Sequence, residues 1–154
     1  MPKSVLIVDD NHSIRFLLRS LIENAGFTVC AEAENGEDAI AKAQRTNPDL
    51  ILLDFSMPRM NGAEATVVLK GLMPQVPIIL FTLHEEIIGR RLGRAAPDLI
   101  ISKIDAGHLL LDGINSLLGP ARSSLPDLAD FSSPNAPTPP PRPNRVKGAK
   151  PDNM

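Results

Sequence analysis

Five short apolar runs, SVLIV (4–8), FTVCAEA (27–33), DLILLD (49–54), VPIILFT (76–82) and DLIISK (98–103), are separated by segments whose apolar residues recur at helical spacing. Nothing else in the chain constrains its fold as tightly. Continuously apolar runs are strands covered on both faces, and strands that alternate with helices join in parallel through helical crossovers. The expectation is an α/β fold: a doubly wound, five-stranded parallel sheet in the order 2-1-3-4-5, with five helices.

The first helix carries Ile14, Leu17, Leu18, Leu21 and Ile22 as its apolar stripe, with Asn11 or Ser13 as its cap and Gly26 at its end. The second, about 37–46, is short and rich in alanine. The third repeats the stripe with Ala65, Val68, Leu69 and Leu72, and the fifth with Leu110, Ile114, Leu117 and Leu118. The fourth falls in HEEIIGRRLGRAAP, where Gly89 and Gly93 each cost about 1 kcal/mol relative to alanine, so it is expected to be short or labile.

After Gly119 the pattern stops. The last 35 residues hold nine of the fifteen prolines and almost no apolar periodicity, which divides the chain into a domain over 1–119 and a disordered Pro-rich tail over 120–154. A net charge of −2 argues against a strongly basic nucleic-acid binder. No apolar run approaches the roughly 20 residues of a membrane span, and MPKS leads into a strand, so no membrane association is expected and the cytoplasm is the expected compartment. The single cysteine, Cys30, reads as a buried strand residue.

In a doubly wound sheet, functional groups gather beyond the carboxyl ends of the strands, where the strand order reverses. Asp9 and Asp10 follow strand one, Asp54 ends strand three, Thr82 strand four and Lys103 strand five. Singly, each has an ordinary reading: an Asp as a helix cap, Thr82 as a strand end, Lys103 as a solvated end. Together they place three carboxylates, a hydroxyl and an ammonium on one edge. Two carboxylates about 5 Å apart at an effective dielectric near 20 repel by roughly 3 kcal/mol, a penalty that a hard divalent cation removes. Mg²⁺ suits such all-oxygen ligation. A carboxylate nucleophile, a metal to neutralise phosphoryl oxygens, and a Lys and Thr to bind them make up a site for phosphoryl transfer to aspartate.

The runs LIVDDNHSIR, PDLILLDFSMPRMNG, VPIILFT and the SK at 102–103 resemble the receiver domain of bacterial two-component response regulators, over residues 3 to about 119. The resemblance implies a flavodoxin-like fold in which Asp54 accepts a phosphoryl group from a phosphohistidine of a sensor kinase or phosphotransfer protein. It implies that Asp10 ligates Mg²⁺ directly, that Asp9 acts largely through water, and that the backbone carbonyl of Ser56 completes the protein ligands. Thr82 and Lys103 would hold phosphoryl oxygens, and Pro58 and Gly62 would shape the turn into helix three. Such a module is not an enzyme beyond its own phosphorylation and dephosphorylation, and its output lies in an unknown partner protein rather than in direct DNA binding.

The sequence departs from the family at Ile100, where an aromatic usually stands, and at Leu83, a bulky residue where a small one usually follows the Thr. Between Thr82 and Lys103 the chain is also about one residue short. Leu83 is expected to narrow access to Asp54, and the helix-four surface to switch by ordering rather than by a rotating aromatic. The alternatives are a degenerate receiver that binds a partner constitutively, and a Mg²⁺-dependent phosphohydrolase. Adjacent acids at 9 and 10, with DFS at 54–56, count against the hydrolase.

Overall fold

In a computed structural model of the chain, residues 2–83 and 97–120 are described. Strands β1 (Ser4–Val8), β2 (Thr28–Ala33), β3 (Leu50–Asp54), β4 (Ile78–Thr82) and β5 (Leu99–Ser102) alternate with helices α1 (His12–Asn24), α2 (Gly36–Thr46), α3 (Gly62–Leu72) and α4 (Ala106–Leu118). The sheet is parallel throughout, with the order β2-β1-β3-β4-β5. That is the expected doubly wound topology. Four helices are described; the weak fourth helix of the sequence reading falls in 84–96 and, like the proposed tail, lies outside the described residues. None of the described helices is long and apolar enough to cross a membrane.

Alternate residues of each strand face opposite layers. Val5, Ile7, Leu50, Leu52, Ile79 and Phe81 pack under Leu18 and Ile22 of α1 and Leu110 and Ile114 of α4. Leu6, Val8, Ile51, Leu53, Ile78 and Leu80 pack under Ala39 and Ala43 of α2 and Ala65 and Leu69 of α3. Alanines on the α2 seam explain how a helix with little apolar bulk lies close to the sheet. Asparagine starts three of the helices: Asn11, Asn35 and Asn61 each accept a backbone N–H three residues on, from Ile14, Asp38 and Glu64.

Packing corrects several expected core positions. Leu17, Val68 and Leu72 are exposed. In α1 the buried positions are Arg15, Leu18 and Ile22, and in α3 they are Gly62, Ala65, Thr66 and Leu69. The expected stripes were wider than the face the sheet covers, so their edge positions reach solvent. Thr66 is tolerated inside because its hydroxyl donates to the Gly62 carbonyl at 2.7 Å. Cys30 is half-buried rather than buried. The register slips at Val5/Leu6, opposite Val29 and Ala31, which leaves Cys30 as the extra residue of a bulge on an edge strand. Its thiol points to the Val5 carbonyl and Thr46 Oγ1, at 3.5 and 3.6 Å.

Candidate functional site

Because β1 and β3 are neighbours, the residues that follow them meet. One carboxylate oxygen from each of Asp9, Asp10 and Asp54 lies within 4.8 Å of the others. Asp9 and Asp54 are buried, at 1% and 3% exposed, while Asp10 faces solvent. They line a cleft of about 420 Å³ together with Asn11, Ile14, Ser56, Leu83 and Lys103.

Lys103 opens a single 3₁₀ turn directly after β5 instead of ending the strand, and its ammonium lies between the two buried acids. Nζ is 2.8 Å from Asp9 Oδ2 and 3.1 Å from Asp54 Oδ1, and it stands 5.4 Å from the centre of the Phe81 ring. Burial pushes the Asp54 carboxyl above its ordinary pKa and the charge of Asp9 adds to this, against the opposing pull of Lys103 and the Ser56 N–H. For Lys103, burial works to lower the pKa, but the bonds and charges of Asp9 and Asp54 outweigh it and the net shift is upward. Among the described lining residues one cation faces three carboxylates, which leaves an excess of negative charge.

The remaining contacts fix the acids. Asp9 accepts the Asn11 N–H at Oδ1, 2.9 Å, and its own N–H donates to the Ala33 carbonyl at 3.0 Å. Ser56 N–H reaches Asp54 Oδ1 at 3.3 Å. Gly62 is required where α3 starts against the end of β3: a Cβ there would lie 2.5 Å from the Asp54 carbonyl oxygen and 2.8 Å from Phe55 Cα. Its N–H instead donates to the Phe55 carbonyl at 2.8 Å, so the glycine lets the helix close on the acid-bearing strand end. In the same loop Arg59 holds φ at 69°, and Met60 N–H donates to the Pro58 carbonyl at 2.8 Å across it, a tight turn that bends the chain back towards α3.

Five of the six expected site residues, Asp9, Asp10, Asp54, Ser56 and Lys103, therefore share one cleft. Thr82 ends β4 fully buried, outside the described lining of that cleft. Leu83, 64% exposed, is among the residues that line the cleft. Ile100 is half-buried and packs into the layer under α2 and α3. Sequence reasoning missed Arg15, whose Nη1 donates to the Asp9 carbonyl at 2.7 Å. Its spacing from Leu18 and Ile22, i+3 and i+7, was the available signal: a charged residue in the buried stripe.

Residues 5–114 match the response regulator receiver domain family. The chain is 32% identical over 120 residues to the chemotaxis protein CheY of Bacillus subtilis, covering 77% of this chain and 99% of that protein. It is 37% identical over 112 residues to the nitrate/nitrite response regulator NarL of Escherichia coli, covering 71% of this chain and 52% of NarL. A Pseudomonas aeruginosa transcriptional regulator is 41% identical over 78 residues, 51% of this chain, and the chain spans only 38% of its length. Among solved structures, the response regulator TrrA of Thermotoga maritima, in complex with Mg(2+)-BeF, superposes with a TM-score of 0.70 at 31% identity, covering 75% of this chain and 99% of that one. The chain belongs to the response regulator receiver domain family, modules of bacterial two-component signalling that bind Mg²⁺ at an acidic pocket and interact with sensor histidine kinases or phosphotransfer proteins.

Proposed function

We propose that Asp54 accepts a phosphoryl group from the phosphohistidine of a sensor histidine kinase or phosphotransfer protein, with Mg²⁺, and that the modified domain changes its binding to an output protein. The convergence of the Asp9, Asp10 and Asp54 oxygens within 4.8 Å carries this reading. The donor set fits the ion, since hard oxygen ligands with one solvent-facing acid suit a cation that keeps several waters. Asp10 and Asp54 would hold it with the Ser56 carbonyl, and Asp9 would act largely through water. When bound, the ion neutralises phosphoryl oxygens and the excess charge of the acids.

The protein's own groups do the rest. The Asp54 carboxylate forms the new bond to phosphorus as the bond from phosphorus to the donor nitrogen breaks. Lys103, already within 3.1 Å of Asp54, turns to the transferred oxygens, and Thr82 at the end of β4 supplies a hydroxyl to them. Leu83 lines the cleft and is 64% exposed, an apolar contact at its mouth that suits the apolar flank of a phosphohistidine-bearing helix. The cytoplasm is the compartment this reading implies.

Leu83 at the rim favours a second reading, a receiver that binds its partner without being phosphorylated. Incubation with acetyl phosphate and Mg²⁺, followed by intact mass measurement, separates the two. The expected result is one phosphoryl adduct, lost with hydroxylamine, with EDTA and in Asp54→Asn. No adduct, and no Mg²⁺ binding, would establish the phosphorylation-independent module, and turnover too rapid for an adduct to accumulate would favour a phosphohydrolase.

A further inference from the structure

The Asp9–Asp10 peptide, which carries two of the three acids, is gripped from behind the cleft. Arg15, its side chain 8% exposed, donates from Nη1 to the Asp9 carbonyl at 2.7 Å and from Nε to Glu32 Oε1 at 3.2 Å. The other oxygen of Glu32 accepts from Arg19 Nε at 2.7 Å, and Arg19 is braced by Glu23 at 2.9 Å. Glu32 sits on β2, so this chain of contacts ties α1 and the edge strand to one backbone oxygen. A pair with Glu32 would be enough to neutralise a buried guanidinium. Its rigid fork makes that pair, lies 3.7 Å from Glu34 at Nη2, and adds a bond to a main-chain carbonyl. A trans peptide is planar, with C=O and N–H pointing in opposite directions, so fixing the Asp9 oxygen fixes the plane from which Asp10 departs.

We propose that Arg15 is a positioning residue for metal loading, holding the Asp9–Asp10 peptide so that both acids present oxygen towards Asp54. This rests on the Mg²⁺ site proposed above. The test is Mg²⁺ titration by calorimetry of the parent, Arg15→Met and Arg15→Lys, with the amide resonances of Asp10 and Asn11 followed in the metal-free proteins. Arg15→Met is expected to lose about tenfold in Mg²⁺ affinity, as loss of a partner behind a metal ligand commonly does, and to shift both amides. Arg15→Lys, which retains a donor for the carbonyl, should recover most of that affinity. At saturating Mg²⁺ the phosphorylation rate of Arg15→Met should return to that of the parent, because affinity is what is lost.

A folded Arg15→Met that binds Mg²⁺ within about twofold of the parent, with Asp10 and Asn11 amides unmoved, overturns the proposal and leaves the site intact. A parent that binds no Mg²⁺ overturns both. Should Arg15→Met fail to fold, Arg15→Gln, whose amide is too short to span both partners, is read by the same two measurements.

Discussion

At the amino end of the sheet, Asp49 and Asp98 each serve one strand: Asp49 Oδ2 accepts Ser4 N–H at 2.7 Å, and Asp98 Oδ2 accepts Ile78 N–H at 2.7 Å with Lys70 beside it at 2.7 Å. At the carboxyl end, Asp9, Asp10 and Asp54 converge on one another, and Lys103 pairs with two of them, Asp9 and Asp54. The same residue type is spread out and matched at one end, crowded and undercompensated at the other. Strand capping accounts for the first arrangement. Stability offers no reason for the second, since buried like charges work against the fold, and the excess suits the cation and the incoming phosphoryl group proposed for that end.

Asp54→Asn should separate the ends most sharply. It is expected to remove phosphoryl uptake completely and also to stabilise the metal-free protein. Burial and Asp9 raise the native pKa of Asp54 above the unfolded value of about 4, so the ionised group opposes folding at neutral pH. That opposition lifts as pH falls through the raised native value and vanishes below the unfolded one. In EDTA, the variant should therefore melt above the parent at pH 7, with the two converging as the pH approaches 4. Asp49→Asn should shift in the opposite direction at pH 7, since it weakens an acceptor used by both the Ser4 N–H and hydroxyl. A gap for Asp54→Asn that is independent of pH would break the electrostatic contrast.

Lys103→Met comes next. Removing the ammonium that pairs with both leaves Asp9 and Asp54 facing each other in a buried site, and the cost to the metal-free protein is expected to be about 3 kcal/mol by denaturant unfolding. Mg²⁺ should restore much of it, because ion and lysine neutralise the same acids. Equal losses with and without Mg²⁺ would show that Lys103 acts by packing on Phe81 instead.

The contrast was partly legible in the sequence, and the limits have physical causes. The strands, and the gathering of Asp9, Asp10, Asp54 and Lys103 at one edge, followed from apolar runs ending in charge, because parallel strands bring their carboxyl ends together. The strand order came with the fold that the receiver resemblance implies. Helix faces followed less well. Leu17, Val68 and Leu72 satisfy helical spacing but lie outside the contact, and an apolar residue at the surface carries little penalty. Arg15 went unread although its spacing put it in the buried stripe, because the partners that make its burial tolerable, the Asp9 carbonyl and Glu32 on β2, are set by the packing of α1 on the sheet. The bulge at Cys30 is likewise a matter of pairing between strands.

The smallest effects belong to the amino end, and they test whether burial is what separates the two. Asp98→Ala strips the Ile78 N–H of its acceptor in a partly buried position and should cost about 1–2 kcal/mol. Lys70→Met should cost less, about 0.5 kcal/mol. Its pair with Asp98 is 22% and 34% exposed, Asp98 keeps the Ile78 N–H, and water replaces the ammonium at both Asp98 and the Val76 carbonyl. Salt gives the decisive measurement: raising NaCl to about 0.5 M should shrink the Lys70→Met effect towards zero while leaving that of Lys103→Met nearly unchanged, since buried pairs are screened much less. If the two lysines respond alike to salt, the crowding of buried charge is not what distinguishes the carboxyl end, and the acids there are held as loosely as those that cap strands.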